Sequence, residues 1–258
     1  MTSLVEIIIL GIIQGITEWL PVSSSGHLVL AQEFFQIAHP LILDVMLHLG
    51  TVIVVIVFFR QDIINIIRAL AKGDLANEDG RLALYVIIGT IPVAIVGYAL
   101  RNTIESLFEN ALAVGTALLF TGFLLFFSEW RESNKKLGFL DSLFIGLAQV
   151  VSIIPGISRS GATISTGLLR GVEKEKVVRY SFLLSVPAIL GATALEVKDA
   201  LVQNVDWFAI LIGVIVSMIV GYLALNALLR IVTKRKFHYF AYYCWALGLI
   251  VILLLLLR

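Results

Sequence analysis

The sequence predicts an all-α integral membrane protein of six transmembrane helices and two re-entrant helix-loop-helix hairpins, arranged as an inverted-topology repeat. Three observations lead there: an apolar composition, a set of runs of membrane-crossing length, and two polar motifs that recur at a fixed offset. Of the 258 residues, 59% are hydrophobic and 14% charged, and mean hydropathy is +0.99. Soluble domains hold roughly 45–50% apolar and about 25% charged residues, so an ordinary soluble domain is excluded. The 19 Lys and Arg nearly balance the 18 Asp and Glu, and bulk charge gives no reason to expect a nucleic-acid partner. With Cys244 as the single cysteine, an intrachain disulfide and a Cys-based metal cluster are excluded. Its apolar, aromatic neighbours make it an inert buried thiol.

Length sorts the elements. A crossing helix needs roughly 20 apolar residues, whereas stretches of about 10–14 mark re-entrant or buried helices. Residues 4–20 are apolar but interrupted by Gln14 and Glu18, then followed by Pro21-Val22-Ser23-Ser24-Ser25-Gly26-His27 and a short apolar piece ending near Ile37. A Pro, Gly and Ser cluster at membrane depth breaks a helix and frees backbone groups that only protein or a wet cavity can satisfy. This segment therefore predicts the first hairpin; without a basic n-region or a small-residue cleavage site, it does not read as a signal peptide. Three spans follow at 41–59, with Asp44 its single charge, 82–100 and 111–128. Residues 139–154, then Pro155-Gly156-Ile157-Ser158-Arg159-Ser160-Gly161 and a piece ending near Leu169, predict the second hairpin. Spans at 180–195, 207–229 and 239–257 complete the set.

An offset of 135 residues places Gly11-Ile12-Ile13-Gln14 on Gly146-Leu147-Ala148-Gln149, and Ser23-Ser24-Ser25-Gly26-His27 on Ser158-Arg159-Ser160-Gly161-Ala162. The single membrane domain, 1–258, thus divides into a first repeat, 1–130, and a second, 139–258, each a hairpin plus three spans. An odd number of spans after a hairpin that returns to its own side inverts the second copy. The cations set the orientation. Arg60, Arg68, Lys72, Arg81, Arg131, Lys135, Lys136, Arg170, Lys174, Lys176, Arg179, Arg230, Lys234, Arg235 and Lys236 all fall on one predicted face, the cytoplasmic one. Only Arg101, Lys198 and Arg258 fall on the other, with Arg159 inside the second hairpin. Both termini are then outside the cytoplasmic membrane. The two polar loops meet at the midplane, in a site expected to open to the outer face.

The chemistry gathers at those loops. Gln14 and Glu18, four apart, share one helix face beside Gly11 and Gly15, and an ionisable residue at that depth is a functional candidate. The run Ser23-Ser24-Ser25-Gly26 opens a helix, where amide N–H groups, hydroxyls and the positive dipole end seat an anion. His27 lies within reach for proton exchange with a hydroxyl or a bound phosphate oxygen. Arg159 adds a planar fork for phosphate oxygens, and Thr163, four residues on, offers a further hydroxyl. A purely structural Glu18–Arg159 ion pair is the plainer alternative. Asp44 and His48 read as mainly structural or gating, and Trp19, Trp130, Trp207, Tyr242, Tyr243 and Trp245 as interfacial anchors or packing.

The stretch from Gln14 to His27, with Pro155 to Thr163, closely resembles the undecaprenyl-pyrophosphate phosphatase family, also called the bacitracin-resistance protein BacA or UppP. Both motifs, their order, their spacing and the whole span pattern match. The resemblance implies an integral membrane enzyme that hydrolyses the C55 polyprenyl diphosphate to the monophosphate carrier of cell-wall polymer synthesis, conferring bacitracin resistance. It also implies a divalent cation, Mg or Ca, and a homodimer. By position, Glu18, Ser24, His27 and Arg159 are the expected catalytic residues, with Glu18 also a possible metal ligand. Gln14, Ser23, Ser25, Ser158, Ser160 and Thr163 are the expected substrate-binding ones. Many members carry Glu where Gln14 stands, which leaves Glu18 as the single carboxylate of its motif. The nucleophile stays open between Ser24 activated by His27, His27 itself, and a water polarised by Glu18 and metal. Another lipid phosphatase class with a Ser-Gly-His element needs a spaced His and Asp after its Arg, and none follows Arg159. A polyprenyl-phosphate transporter or flippase using the same midplane site is the alternative, since carriers are also built from inverted repeats with broken helices.

Overall fold

The computed structural model describes residues 3–37, 41–108, 110–130, 134–200, 206–234 and 236–257. Arg131, Arg235 and Arg258 of the charge pattern lie outside these residues, as does the side chain of Lys198. Twelve helices occur among the described residues: α1 (Leu4–Trp19), α2 (Ser24–Phe35), α3 (Leu41–Phe58), α4 (Arg60–Lys72), α5 (Glu78–Ala99), α6 (Arg101–Leu107), α7 (Ala111–Phe127), α8 (Phe139–Val151), α9 (Arg159–Leu169), α10 (Lys174–Ala200), α11 (Trp207–Thr233) and α12 (Tyr239–Leu256). Each predicted span falls on one helix. By length and composition, α5, α10, α11 and α12 are long and apolar enough to cross a membrane; α3 and α4 form a fifth candidate bent by 77°, and α7 is a shorter apolar helix.

Both predicted breaks are real. Helix α1 starts with a capping box, Ser3 Oγ accepting from Glu6 N and Glu6 Oε2 accepting from Ser3 N, and stops before Pro21. Helix α8 stops at Ser152, before Pro155-Gly156. Gly156 has φ +96°, and a Cβ there would stand 2.5 Å from the Val114 carbonyl oxygen, so the turn needs glycine.

Packing follows a reciprocal pattern. Helix α1 lies along α11, and α8 lies along α5; α3 touches both α10 and α11, α10 touches both α3 and α5, and α7 pairs with α12. Small residues permit the close crossings. A Cβ on Gly11 would come within 2.7 Å of the Gly213 carbonyl oxygen, and one on Gly146 within 2.6 Å of the Gly89 oxygen. Where α7 crosses α12, Gly248 would meet the Gly115 oxygen at 2.7 Å. Apolar packing surrounds the breaks: Trp19, Leu125, Ile164, Phe182, Leu225 and Cys244, from six elements, share one core cluster.

The cation-rich end is tied by ion pairs. Asp141, at the start of α8 and 1% exposed, accepts from Lys135 Nζ at 2.8 Å, Arg170 Nε at 2.7 Å and Gly138 N at 3.1 Å. An isolated parallel bridge joins Lys135 to Val172. These contacts tie the start of α8 to the residue that follows α9.

Candidate active site

Helices α2 and α9 begin at Ser24 and Arg159, and both N-termini converge on the Glu18 carboxylate in the last turn of α1. Glu18 is 7% exposed. Its Oε1 accepts from Arg159 Nη2 at 2.7 Å. Its Oε2 accepts from Ser24 Oγ at 2.6 Å and from Gln14 Nε2 at 3.1 Å, the four-residue spacing expected of one helix face. Gln14 Nε2 also reaches Thr51 Oγ1 at 3.4 Å. A carboxylate this deep persists only when paired and hydrogen-bonded, and each of these groups meets that need.

Arg159 is held from two sides. One nitrogen serves Glu18, and the guanidinium carbon lies 5.5 Å from the centre of the Trp19 ring, a cation–π contact. Its Nη1 is buried and has no hydrogen-bond partner among the described residues. That nitrogen is a donor available to a ligand oxygen. Trp19 is fully buried and edge-on to Phe182, which makes it a packing residue, whereas Trp130, Trp207 and Tyr242 are exposed.

Most other motif hydroxyls build the cradle. Ser23 has φ +69°, a strained conformation for a non-glycine residue. Its Oγ accepts from Gly26 N at 3.3 Å and from Gly156 N at 3.1 Å, joining the two loops. Ser158 repeats the local cap, accepting from Gly161 N at 3.0 Å. The Ser23–Ser25 hydroxyl pair, at 3.2 Å, has its counterpart in Ser158–Ser160, also 3.2 Å. Thr163 turns away from the Arg159 guanidinium: its hydroxyl donates to the Arg159 carbonyl or meets Ser181 Oγ at 2.6 Å. Ser23, Ser158, Ser160 and Thr163 are buried, whereas Ser24 and Ser25 are partly open.

His27 is oriented but does not bond Ser24. Its Nδ1 lies 2.7 Å from the Ser23 carbonyl oxygen and its Nε2 lies 2.7 Å from Tyr243 Oη. A carbonyl only accepts, so Nδ1 carries hydrogen, and in the neutral ring Tyr243 donates to Nε2. The Tyr243 ring stacks on the imidazole at 5.7 Å. Sequence reasoning gave Tyr243 no part in the site, because a contact 216 residues distant leaves no local signal. His48, expected to be mainly structural or gating, places its Nε2 3.6 Å from Glu18 Oε2. Its polarity inside an apolar run was the available signal, but the direction of its face was not.

A cation would find a partial donor set. Among the described residues no three His, Cys, Asp or Glu side chains gather. Glu18 does lie beside Gln14 Oε1, a buried amide oxygen with no partner. One carboxylate with neutral oxygens suits a hard divalent ion held jointly by substrate phosphates.

The family described as bacitracin resistance protein BacA matches residues 7–250. An undecaprenyl-diphosphatase from Methanobrevibacter smithii is 45% identical over 96% of both chains. One from Korarchaeum cryptofilum is 40% identical over 98% of this chain and all of its own, and one from Rubrobacter xylanophilus is 41% identical over the full length of both. A match that runs through both loops and nearly every helix leaves one conclusion: the chain belongs to the bacitracin resistance protein BacA family.

Proposed function

We propose that the protein hydrolyses undecaprenyl diphosphate to the monophosphate and inorganic phosphate at the Glu18–Ser24–Arg159 site, recycling the lipid carrier. The observation that carries this reading is a buried carboxylate that accepts a hydrogen bond from Ser24 Oγ on one oxygen and from Arg159 Nη2 on the other, between two helix N-termini. The relatives named above are diphosphatases, and nothing beside them favours the carrier reading. A serine hydrogen-bonded to a base is the arrangement of an activated nucleophile.

In this mechanism Ser24 Oγ attacks the terminal phosphorus while its proton passes to Glu18 Oε2. The bond from that phosphorus to the bridging oxygen breaks, and the lipid monophosphate leaves with that oxygen. Water then hydrolyses the phosphoserine: the imidazole of His27, having given up its proton, takes one from the water, and Glu18 returns the serine proton to Ser24 Oγ. Arg159 Nη1 and the first-turn amides of α2 and α9 take the charge that develops on the phosphoryl oxygens. Ser24 takes its activation from Glu18 rather than from His27, whose two ring nitrogens are engaged elsewhere. His27, oriented by Ser23 and Tyr243, acts as the imidazolium and delivers its Nε2 proton to the leaving oxygen. Ser25 adds a hydroxyl beside the phosphate, while Ser23, Ser158, Ser160 and Thr163 hold the cradle in shape. A divalent cation, Mg or Ca, would be held by Glu18 and Gln14 and would neutralise diphosphate charge.

The same proposal includes a multi-pass protein of the cytoplasmic membrane, with six spans, two re-entrant hairpins and inverted halves. The reciprocal α1–α11 and α8–α5 crossings, and the matched serine caps at positions 135 residues apart, support it. Both termini and the mouth of the site would face outward, and the assembly would be a homodimer.

The test is phosphate release from a long-chain polyprenyl diphosphate by detergent-purified protein, with and without EDTA. Glu18→Ala and Arg159→Ala are expected to lower turnover by at least about 100-fold, His27→Ala by less, and EDTA to reduce it. No release from folded, substrate-binding wild type would sink the reading. In rapid quench, label trapped on neither Ser24 nor His27 would replace the serine with water.

A further inference from the structure

At the cation-rich end of the molecule lies a small pocket that the chemistry above leaves unused. It encloses about 180 Å³ and forms where three elements meet: the first two turns of α5, the segment that leads into α8, and the first turns of α10. None of the serine-loop residues lines it. Arg81, Lys136, Lys176 and Arg179 do, with Glu78 as the one carboxylate of the lining. The remaining walls are Leu82, Tyr85 and Leu137, which pack on the buried cluster of Ile145, Tyr180 and Leu184.

Neighbouring acids leave part of this charge uncompensated. Arg179 Nη2 pairs with Asp62 and, at 3.9 Å, with Asp79, and Lys176 Nζ pairs with Glu173 at 3.0 Å. Among the described residues neither Arg81 nor Lys136 has a carboxylate partner; Arg81 Nε reaches the Asn77 carbonyl oxygen at 3.5 Å. Arg179 Nε is buried with no hydrogen-bond partner among these residues, although a guanidinium N–H withdrawn from water needs an acceptor. Two unpaired cations beside an unsatisfied guanidinium nitrogen form a seat for phosphate oxygens, which take charge-assisted hydrogen bonds from both residue types.

The place of the pocket selects the source of the phosphate. It stands at the ends of α5 and α10, both long and apolar enough to cross a membrane, which is the level of the lipid head groups. Tyrosine is enriched at that level, and basic pockets between spanning helices on the cytoplasmic side take anionic head groups. In the topology proposed above, this face is the cytoplasmic one. We propose that the pocket binds the phosphate group of an anionic phospholipid, which then bridges α5, α10 and the segment before α8. The inference rests on the proposed membrane placement and is independent of the reaction at Glu18. Free inorganic phosphate shares the chemistry but makes no use of Leu82 and Leu137, and diffuse attraction of anionic lipid to the whole cationic face is the rival account.

The experiment follows the thermal unfolding midpoint of the full-length, detergent-purified protein with dioctanoyl phosphatidylglycerol, dioctanoyl phosphatidylcholine or inorganic phosphate added at one ionic strength. The phosphatidylglycerol is expected to raise the midpoint by about 5 °C and the phosphatidylcholine by less than about 1 °C. The double variant Arg81→Gln, Lys136→Gln is expected to lose most of that rise. Arg68→Gln, Lys72→Gln, which removes two exposed cations of α4 outside the pocket, is expected to keep it. No rise with phosphatidylglycerol, equal rises with both lipids, or equal losses in both double variants overturns the proposal, the last in favour of diffuse attraction. A rise with phosphate but not with phosphatidylglycerol, abolished by Arg81→Gln, Lys136→Gln, assigns the pocket to a free anion and overturns the lipid. A second measurement needs no variant: a phosphatidylglycerol with a photoreactive head group is crosslinked to wild type. Adducts within 78–85, 134–138 or 174–179 support the pocket, and adducts elsewhere alone overturn it.

Discussion

Glu18 and Arg159 form a buried ion pair besides serving the proposed reaction. Removing one partner of a buried ion pair strands the other charge, at a cost of roughly 3–5 kcal/mol. Loss of activity in either variant therefore has to be read beside its unfolding temperature. Tyr243 offers a cleaner probe because, among the described residues, the hydrogen bond of its hydroxyl is to His27. Tyr243→Phe keeps the stacked ring and removes one neutral hydrogen bond, a contribution near 1 kcal/mol. We expect kcat to fall about two- to tenfold while the unfolding temperature drops by no more than about 2–4 °C; an unaltered kcat would show that the contact does not position His27 for the reaction.

At the scale of the helix, the crossings of α1 with α11 and of α8 with α5 depend on glycine facing backbone. Valine at Gly11 or Gly146 would press against a carbonyl oxygen that cannot rotate aside, and overpacking of this kind costs about 1–3 kcal/mol or more. Gly11→Val and Gly146→Val are expected to lower the thermal unfolding midpoint in detergent to a similar degree. Gly191 is the control, since an added Cβ there meets nothing within 4 Å. Gly191→Ala should leave the midpoint unchanged or raise it slightly, because a helical alanine is favoured by roughly 0.5–1 kcal/mol. If Gly146→Val unfolds like wild type, the close crossing is not a stability determinant.

At the scale of the molecule, the proposed inversion brings two helix N-termini to one carboxylate from opposite sides. Its consequence is an orientation that can be measured. In a Cys244→Ser background, single cysteines in segment 60–81 and in segment 101–110 are exposed to a membrane-impermeant maleimide in intact cells. The topology requires labelling of 101–110 and protection of 60–81 until the cells are opened; labelling of both from outside would overturn it. Cys244 itself is buried beside the Pro21 carbonyl, so replacing it by serine keeps a donor of similar size there.

Much of this was legible in the chain because membranes impose length and polarity rules on sequence. Six apolar runs fell on six helices, and two Pro, Gly and Ser clusters fell on two breaks, since lipid leaves few alternatives for an apolar segment. Glu18 and Arg159 stood out as charges that membrane depth would not otherwise tolerate, and Ser24 as part of a helix opening that can seat an anion. Their division of labour was not legible. Whether Ser24 bonds Glu18 or His27, whether Ser23 and Thr163 face a ligand or the protein, and that His48 and Tyr243 join the site depend on which way each helix is turned. Rotation about a helix axis is set by contacts with partners far away in sequence, such as Gly11 on Gly213, His27 on Tyr243 and Glu18 on Arg159. The sequence by itself determined the elements, their breaks and the family; only tertiary packing decided which donors face the carboxylate.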